Sequence, residues 1–253
     1  MRIDINADTG ESFGAYTIGH DEGLMTSITS ANIAAGFHAG DPSVLRATIR
    51  LAKAHGVAVG AHPSYPDLVG FGRRAMAVSP KEAEDFVLYQ IAAVAGVARA
   101  EGVRLQHVKP HGELFNVAAK DRELAMAIAR AVAACDPSLI LFALPRSEML
   151  KAGRALGLRT VAEVFADRAY EPDGSLVSRR KAGAVIHDAD AVAARAVRMV
   201  KDRSVVASDG SVVALDAETI CVHGDTPGAD QLAAKIRTGL EQAGIIVKAV
   251  GAS

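Results

Sequence analysis

Residues 3–8 read Ile3-Asp4-Ile5-Asn6-Ala7-Asp8. Apolar and polar side chains alternate without a break. In a strand, that puts Ile3, Ile5 and Ala7 on one face and Asp4, Asn6 and Asp8 on the other. The same parity recurs downstream. His107, Lys109 and His111 align, as do Glu163 and Asp167 with Phe165 between them, and Cys221, His223 and Asp225. The interior of an α/β barrel is normally filled by branched apolar side chains. The simplest arrangement of these segments turns their aliphatic faces toward covering helices and their polar faces into a barrel. Burying so many ionisable groups unpaired would cost several kcal/mol each. They must therefore pair, bind an ion or line a wet cavity.

Outward from this stretch, strand-like runs at 3–8, 31–36, 57–62, 106–111, 139–144, 160–166, 219–224 and 245–250 alternate with helical segments at 42–55, 80–101, 121–134, 147–156, 188–202 and 228–243. This is the repeated βα signature of a parallel sheet. Helix punctuation agrees. Asp41-Pro42 reads as N-cap and first helical residue with Gly56 as the stop, and Ser79-Pro80-Lys81-Glu82 reads as a capping box closed by Gly102. Thr226-Pro227 is expected to open the last helix in the same way. Pro172-Asp173-Gly174 predicts a hairpin inserted at 170–181, and Asp209-Gly210 a smaller one at 208–215. The expected fold is one domain over 1–253, a distorted seven-stranded (β/α) barrel. A doubly wound open sheet is the structural alternative.

Composition excludes several classes. Among 253 residues, 28 Lys and Arg nearly balance 29 Asp and Glu, which leaves no electrostatic footprint for nucleic acid or an anionic membrane. Trp is absent, so base-stacking platforms are disfavoured. There is no long uncharged apolar run, and Asp4 falls where a signal peptide needs an apolar stretch, so neither a membrane span nor secretion is expected. Cys135 and Cys221 are far apart and lack metal-type spacing, which makes a reducing cytoplasm the default.

Ligands bind at the carboxyl ends of strands in barrels and open α/β sheets alike. Five segments deliver ionisable groups to that rim: Asp8 to Glu11, His38 to Asp41, His62, Lys109 to Glu113, and Glu163 to Asp167. Other polar residues have sufficient structural roles. Asp121 and Asp188 read as helix caps, His55 as a helix-terminal residue and Cys221 as a small buried hydrophobe. Asp41 reads as a cap and is kept as a candidate as well. Arg73 and Arg74, in a glycine-rich loop, suit either a solvated loop or a clamp for a carboxylate or phosphate. No Gly-x-Ser-x-Gly elbow, Walker A sequence or Gly-x-Gly-x-x-Gly fingerprint is present. Acid/base chemistry or metal-assisted hydrolysis remains. Asp8, His38 and His62 would make a three-ligand metal site with an open position for water. Without a metal, Asp8 or Glu163 could activate water while Lys109 stabilises an oxyanion. The residues alone leave both routes open.

The motifs also carry a resemblance. Asp4-Ile5-Asn6-Ala7-Asp8-Thr9-Gly10-Glu11, residues 32–41 (Asn-Ile-Ala-Ala-Gly-Phe-His-Ala-Gly-Asp), Gly60-Ala61-His62-Pro63, residues 106–112, 162–168 and 220–228 together resemble the LamB/YcsF family, in order, from residue 1 to about 244. Ala35 stands where many members are expected to have cysteine, which argues against an obligatory nucleophile there. Ser64 stands where glycine is common. The resemblance implies a barrel related to the glycoside hydrolase/deacetylase group. It implies ATP-dependent opening of 5-oxo-L-proline to L-glutamate, shared with partner subunits B and C. The missing Walker A sequence suggests that nucleotide is handled elsewhere in such a complex. The combined reading names Asp8, Glu11, Lys109, His111, Glu163, Asp167 and His223 as catalytic candidates. Asn6, Asp41, Arg73, Arg74 and Arg168 are the substrate-binding candidates, and Asp8, His38 and His62 the metal candidates. A divalent metal and a homo-oligomer are left open. The rivals are a stand-alone metal-dependent hydrolase of the deacetylase kind and a non-catalytic subunit that binds a small acid.

Overall fold

The computed structural model describes residues 1–179 and 181–252. In chain order the elements are β1 (Arg2–Thr9), α1 (Asp21–Met25), β2 (Ser30–Ala34), α2 (Pro42–His55), β3 (Ala58–His62), α3 (Pro80–Ala100), β4 (Leu105–Val108), α4 (Gly112–Ala118), α5 (Arg122–Cys135), β5 (Ile140–Ala143), α6 (Glu148–Ala155), β6 (Arg159–Phe165), α7 (Ala189–Lys201), β7 (Ser204–Val206), β8 (Val212–Ala214), β9 (Thr219–Val222), α8 (Ala229–Gln242) and β10 (Ile246–Val247). Strands β1 to β6 pair in sequence order, all parallel, and β9 bonds to both β6 and β1, which closes a seven-stranded barrel. The open-sheet alternative is therefore excluded.

The run at 245–250 does not become a barrel stave. β10 pairs only with Arg2 and Ile3 of β1, and from Asp4 onward that edge of β1 belongs to β9. The tail after β10 turns under the barrel, where Val250 joins Ile140, Phe142 and Val161 in a small apolar cluster. Gln106 donates to the Val250 carbonyl at 2.9 Å and fixes this floor.

The alternation in β1 does what its parity predicts. Ile3, Ile5 and Ala7 belong to the main apolar core, with Leu45, Ile49, Val87, Ile91, Ile128 and Ile236 of the covering helices. Asp4, Asn6 and Asp8 are buried on the opposite side, among polar partners from other strands. Just above the floor, the Asp4 carboxylate accepts hydrogen bonds from the hydroxyls of Thr29, Ser30 and Thr219. One level up, Asn32 donates to Asn6 at 2.7 Å and to Asp8 at 3.0 Å, and its side-chain oxygen lies 2.9 Å from His107 Nε2. Gly60 leaves room for that imidazole, since a Cβ there would sit 2.1 Å from His107 Nε2. The lower barrel interior, at the levels of Asp4 and Asn6, is thus a polar ladder whose rungs satisfy one another, as low-dielectric burial requires.

The predicted caps hold. Asp41 accepts from the Ser43 and Val44 amides, Gly56 ends α2 in the left-handed region, and Ser79 with Glu82 forms a capping box at α3. Asp121 and Asp188 cap α5 and α7. Thr226-Pro227 does not open α8, because Gly228, at φ 78°, is the N-cap. Two helices, α1 and α4, are not foreseen from the sequence, each being too short to show helical periodicity. The small hairpin expected at 208–215 is the antiparallel pair β7–β8, which begins earlier, at Ser204. Between β6 and α7 the chain makes isolated bridges, Arg168 to Val185 and Tyr170 to Leu176, with a turn at Glu171–Ser175. Arg180, inside the hairpin expected at 170–181, lies outside the described residues. No helix among the described residues is long and apolar enough to cross a membrane.

Candidate active site

Lys109 follows β4, yet its amide still bonds to the Ala61 carbonyl, and that of His111 bonds to Pro63. The extended pairing with β3 therefore continues past β4, and His107, Lys109 and His111 keep one face. Lys109 is buried. Its Nζ lies 2.5 Å from Asp8 Oδ1, 3.1 Å from Cys221 Sγ and 3.7 Å from Glu163 Oε1. Burial opposes its charge, but Asp8, Cys221 and Glu163 together hold the ammonium well above the ordinary lysine range. Burial likewise opposes the Asp8 carboxylate, and His62 with Lys109 overcomes it, so Asp8 stays ionised well below its usual value. Glu163 behaves differently. Burial pushes it up to about 7 against the pull of Lys109, and neither oxygen accepts a hydrogen bond of normal geometry among the described residues.

Above this pair lies a cluster of imidazoles. His38 stacks on His111 with centroids 3.9 Å apart, and His62 stands edge-on to both. Burial holds His38 and His111 well below the usual histidine range and lowers His62, so all three are neutral. The tautomers follow from the backbone. His62 Nδ1 lies 2.6 Å from the Lys109 carbonyl and His111 Nε2 2.9 Å from the Phe71 carbonyl, and only an N–H can face a carbonyl. The remaining nitrogens, His62 Nε2 and His111 Nδ1, then point lone pairs at each other across 2.9 Å. Both His38 nitrogens and Glu11 Oε1 are buried without hydrogen-bond partners among the described residues. Glu11 Oε1 lies 3.5 Å from His38 Nε2 and 3.9 Å from His111 Nδ1. Burial, then the charges of Asp8 and Asp225, push the Glu11 carboxyl well above its usual value. A cation between the facing lone pairs would relieve both the lone-pair clash and the orphaned atoms. Carbonyl-fixed imidazoles are also how metal-binding histidines are held. Glu11, His38, His62 and His111 thus form a group able to hold a divalent metal.

This geometry regroups the metal candidates expected from the sequence. His38 and His62 join Glu11 and His111. Asp8 touches His62 at 3.3 Å but falls into a second group with Cys221 and His223. On the other side of the rim, Asp167 lies 3.2 Å from His223 Nδ1, and the His223 ring stacks on Phe165. A cavity of about 1140 Å³ opens here, with Asp8, Lys109, His111, Phe165, Arg168 and His223 in its lining. Gly72, at φ 63°, packs where a Cβ would strike Ser64 and His111, so only glycine lets the loop after β3 close over the imidazoles.

The remaining candidates separate. Arg73 lines the cavity and pairs with Asp225 at 2.8 Å. Arg74 turns to Asp67 and ties down its own loop. Asp41 spends its carboxylate on the α2 cap and on the Gly14 amide. Asn6 sits beneath Asp8, bonded to Thr219 and Asn32. Sequence reasoning missed Asn32 and His107 as the ladder that orients Asp8. Cys221 is buried in the apolar core as expected, and its sulfur in addition accepts from Lys109. The alternation Ser30-x-Asn32 was the available signal.

Comparison with known proteins accords with the motifs. The sequence model of the LamB/YcsF family matches residues 3–253. The A subunit of the 5-oxoprolinase of Chloroflexus aggregans (strain MD-66 / DSM 9485) is 57% identical over 248 residues, 98% of this chain and 98% of its own length. The crystal structure of a lactam utilization protein from Thermus thermophilus superposes with a TM-score of 0.94 at 51% identity, covering 98% of this chain and 100% of that one. A family 4 carbohydrate esterase from Streptomyces lividans, 13% identical, covers 99% of this chain and 93% of its own with a TM-score of 0.51, a likeness of fold alone. The chain belongs to the LamB/YcsF family.

Proposed function

We propose that this chain is the lactam-opening subunit of an ATP-dependent 5-oxoprolinase, hydrolysing the cyclic amide of 5-oxo-L-proline to L-glutamate together with partner subunits B and C. The observation that carries the reading is the Lys109–Asp8–Glu163 group, in which Asp8 and Lys109 line the cavity and the fully buried Glu163, 3.7 Å from the Lys109 ammonium, is pushed up to about 7 by burial. The 5-oxoprolinase relative and the lactam utilization protein support the choice of substrate. The unpaired Cys135 and Cys221 are in keeping with a cytoplasmic setting.

Opening the ring requires a new carbon–oxygen bond from water, cleavage of the carbon–nitrogen bond and a proton on the departing nitrogen. Lys109 stabilises the oxyanion formed at the amide carbon, a role that needs a charge already in place. Asp8, too acidic to be an effective base, keeps that charge on Lys109. His223, oriented by Asp167, takes a proton from the attacking water. Glu163 gives one to the nitrogen, which its value near 7 permits. The lactam is a stable amide, and phosphorylation of its carbonyl oxygen on the partner subunits would supply the drive from ATP; cleavage of the carbon–nitrogen bond after water adds then leaves an acyl phosphate, which a second water converts to L-glutamate and inorganic phosphate. A divalent cation held by Glu11, His38, His62 and His111 would supply Lewis-acid polarisation. That cluster also favours a second reading, a stand-alone metal-dependent hydrolase.

One assay separates the two. Glutamate release from 5-oxo-L-proline is measured with and without ATP, partner subunits and chelator. The proposal expects release only when ATP and both partners are present. Release by the isolated chain, abolished by chelator and indifferent to ATP, would replace it with the second reading.

A further inference from the structure

The proposed chemistry occupies the cavity floor, and the outer wall is made of other side chains. Arg73 reaches it from the loop after β3, Arg168 from the end of β6 and Arg179 from the segment between β6 and α7. Arg168 is buried and held by backbone, its Nη2 donating to the Val177 carbonyl at 2.7 Å and its Nε to Ala184 at 3.3 Å. Arg179 is exposed, and its charge helps keep Asp167 ionised. All three line the same cavity, and their charges oppose one another. Arg168 is pushed down to about 10 by burial and then by Arg179, with Asp167 opposing and Arg73 adding to the depression. The neighbouring carboxylates are already engaged, Asp225 with Arg73 and Asp167 with His223.

Gathering like charges at one wall is unfavourable unless an anion joins them. A small lactam with one carboxylate needs one guanidinium, and these three line the cavity, with Arg73 shared with Asp225 and Arg168 fixed through Nε and Nη2 by backbone carbonyls. The cavity, about 1140 Å³, also exceeds the roughly 300–1,000 Å³ usual for a small-molecule site. A guanidinium matches a carboxylate and a phosphate alike, but cations reaching a chamber from three separate segments can each meet a different oxygen of a tetrahedral phosphoryl group, where a carboxylate offers only two. We propose that Arg73, Arg168 and Arg179 form a phosphoryl-binding subsite above the lactam floor, so that the cavity takes a phosphate-bearing ligand. The proposal rests on the reading above for what lies on the floor, but its test does not depend on turnover.

The whole chain is titrated by calorimetry with inorganic phosphate, ADP and 5-oxo-L-proline, each measured separately on the native protein and on Arg179→Gln and Arg179→Lys. Arg179 is exposed, so both variants should fold, and matching thermal melts check this. Phosphate should bind saturably, about tenfold or more weakly in Arg179→Gln and with partial recovery in Arg179→Lys, while 5-oxo-L-proline binding changes less than about twofold. Given that pattern, ADP binding about tenfold tighter than phosphate with the same dependence on Arg179 identifies a nucleotide as the source. ADP binding no tighter than phosphate identifies a phosphorylated small substrate. Absence of saturable phosphate binding, or equal affinity in Arg179→Gln, overturns the proposal. If Arg179→Gln instead loses 5-oxo-L-proline, the wall serves the substrate carboxylate, and the lactam reading survives without the phosphoryl subsite. If phosphate binds as expected and 5-oxo-L-proline does not bind the native chain, the subsite stands and the lactam reading is the one in difficulty.

Discussion

Lys109 and Asp8 illustrate how a buried ion pair can be functional without being stabilising. Each charge depends on the other, because removing either leaves its partner buried and unpaired, at a cost of about 3–5 kcal/mol. Lys109→Met should lower the rate of the assembled enzyme by roughly 10²–10³ and also lower the melting temperature. Adding Asp8→Asn should recover much of the stability and none of the activity. Recovered activity in the double variant would remove Lys109 from the oxyanion role. Glu163 gives a prediction with a definite sign. Its folded value of about 7 stands above the ordinary 4.5, so the folded state holds the proton more tightly. The associated stability is fully present below about pH 4.5 and is lost as pH rises through 7, a swing on the order of 3 kcal/mol. Between about pH 5 and 8, the native protein's melting temperature should therefore fall relative to that of Glu163→Gln. Parallel curves would show that Glu163 is not held protonated by burial.

Elements deliver these residues, and here the sequence was informative in some places and silent in others. Strand parity gave the polar faces of β1, β4, β6 and β9 because period-two alternation is local. It could not show that His38 and His62 gather with Glu11 and His111 while His62 also keeps its contact with Asp8, since those meetings cross separate strands and depend on the closing angle of the barrel. Nor could it separate a cap from a ligand at Asp41. The structure gives that carboxylate three backbone amides and no place at the cavity. Asp41→Ala should lower the melting temperature with kcat retained, and Asp41→Ser should recover most of the loss. A fall in kcat at unchanged stability would return Asp41 to the substrate. The imidazole cluster is likewise built from the ends of separate elements. The chelator-treated chain should take up one equivalent of zinc or manganese and melt at a higher temperature once loaded. His38→Ala should abolish both effects, and an unchanged melt with no bound metal would leave the cluster without that role.

At the scale of the whole molecule, the barrel has a closed end and an open one. Val250 and its apolar neighbours seal the amino-terminal end, the hydroxyl-bound Asp4 lies just above, and polarity increases upward to the cavity. The cavity therefore opens at the carboxyl rim, the face on which a partner would deliver an activated lactam under the proposed function. The chain carries cations at that rim but no Walker A loop with which to cradle a nucleotide in the usual way. If the partners supply activation and this chain supplies hydrolysis, the two halves should separate kinetically. In the assembled enzyme, Lys109→Met should stop glutamate release while ATP consumption driven by 5-oxo-L-proline continues, because activation precedes the step that needs Lys109. ADP formation, which reports activation alone, and glutamate release are then measured side by side in the same reaction. Equal loss of both would mean that ATP is cleaved only in concert with ring opening, and the division of labour among the subunits would have to be abandoned.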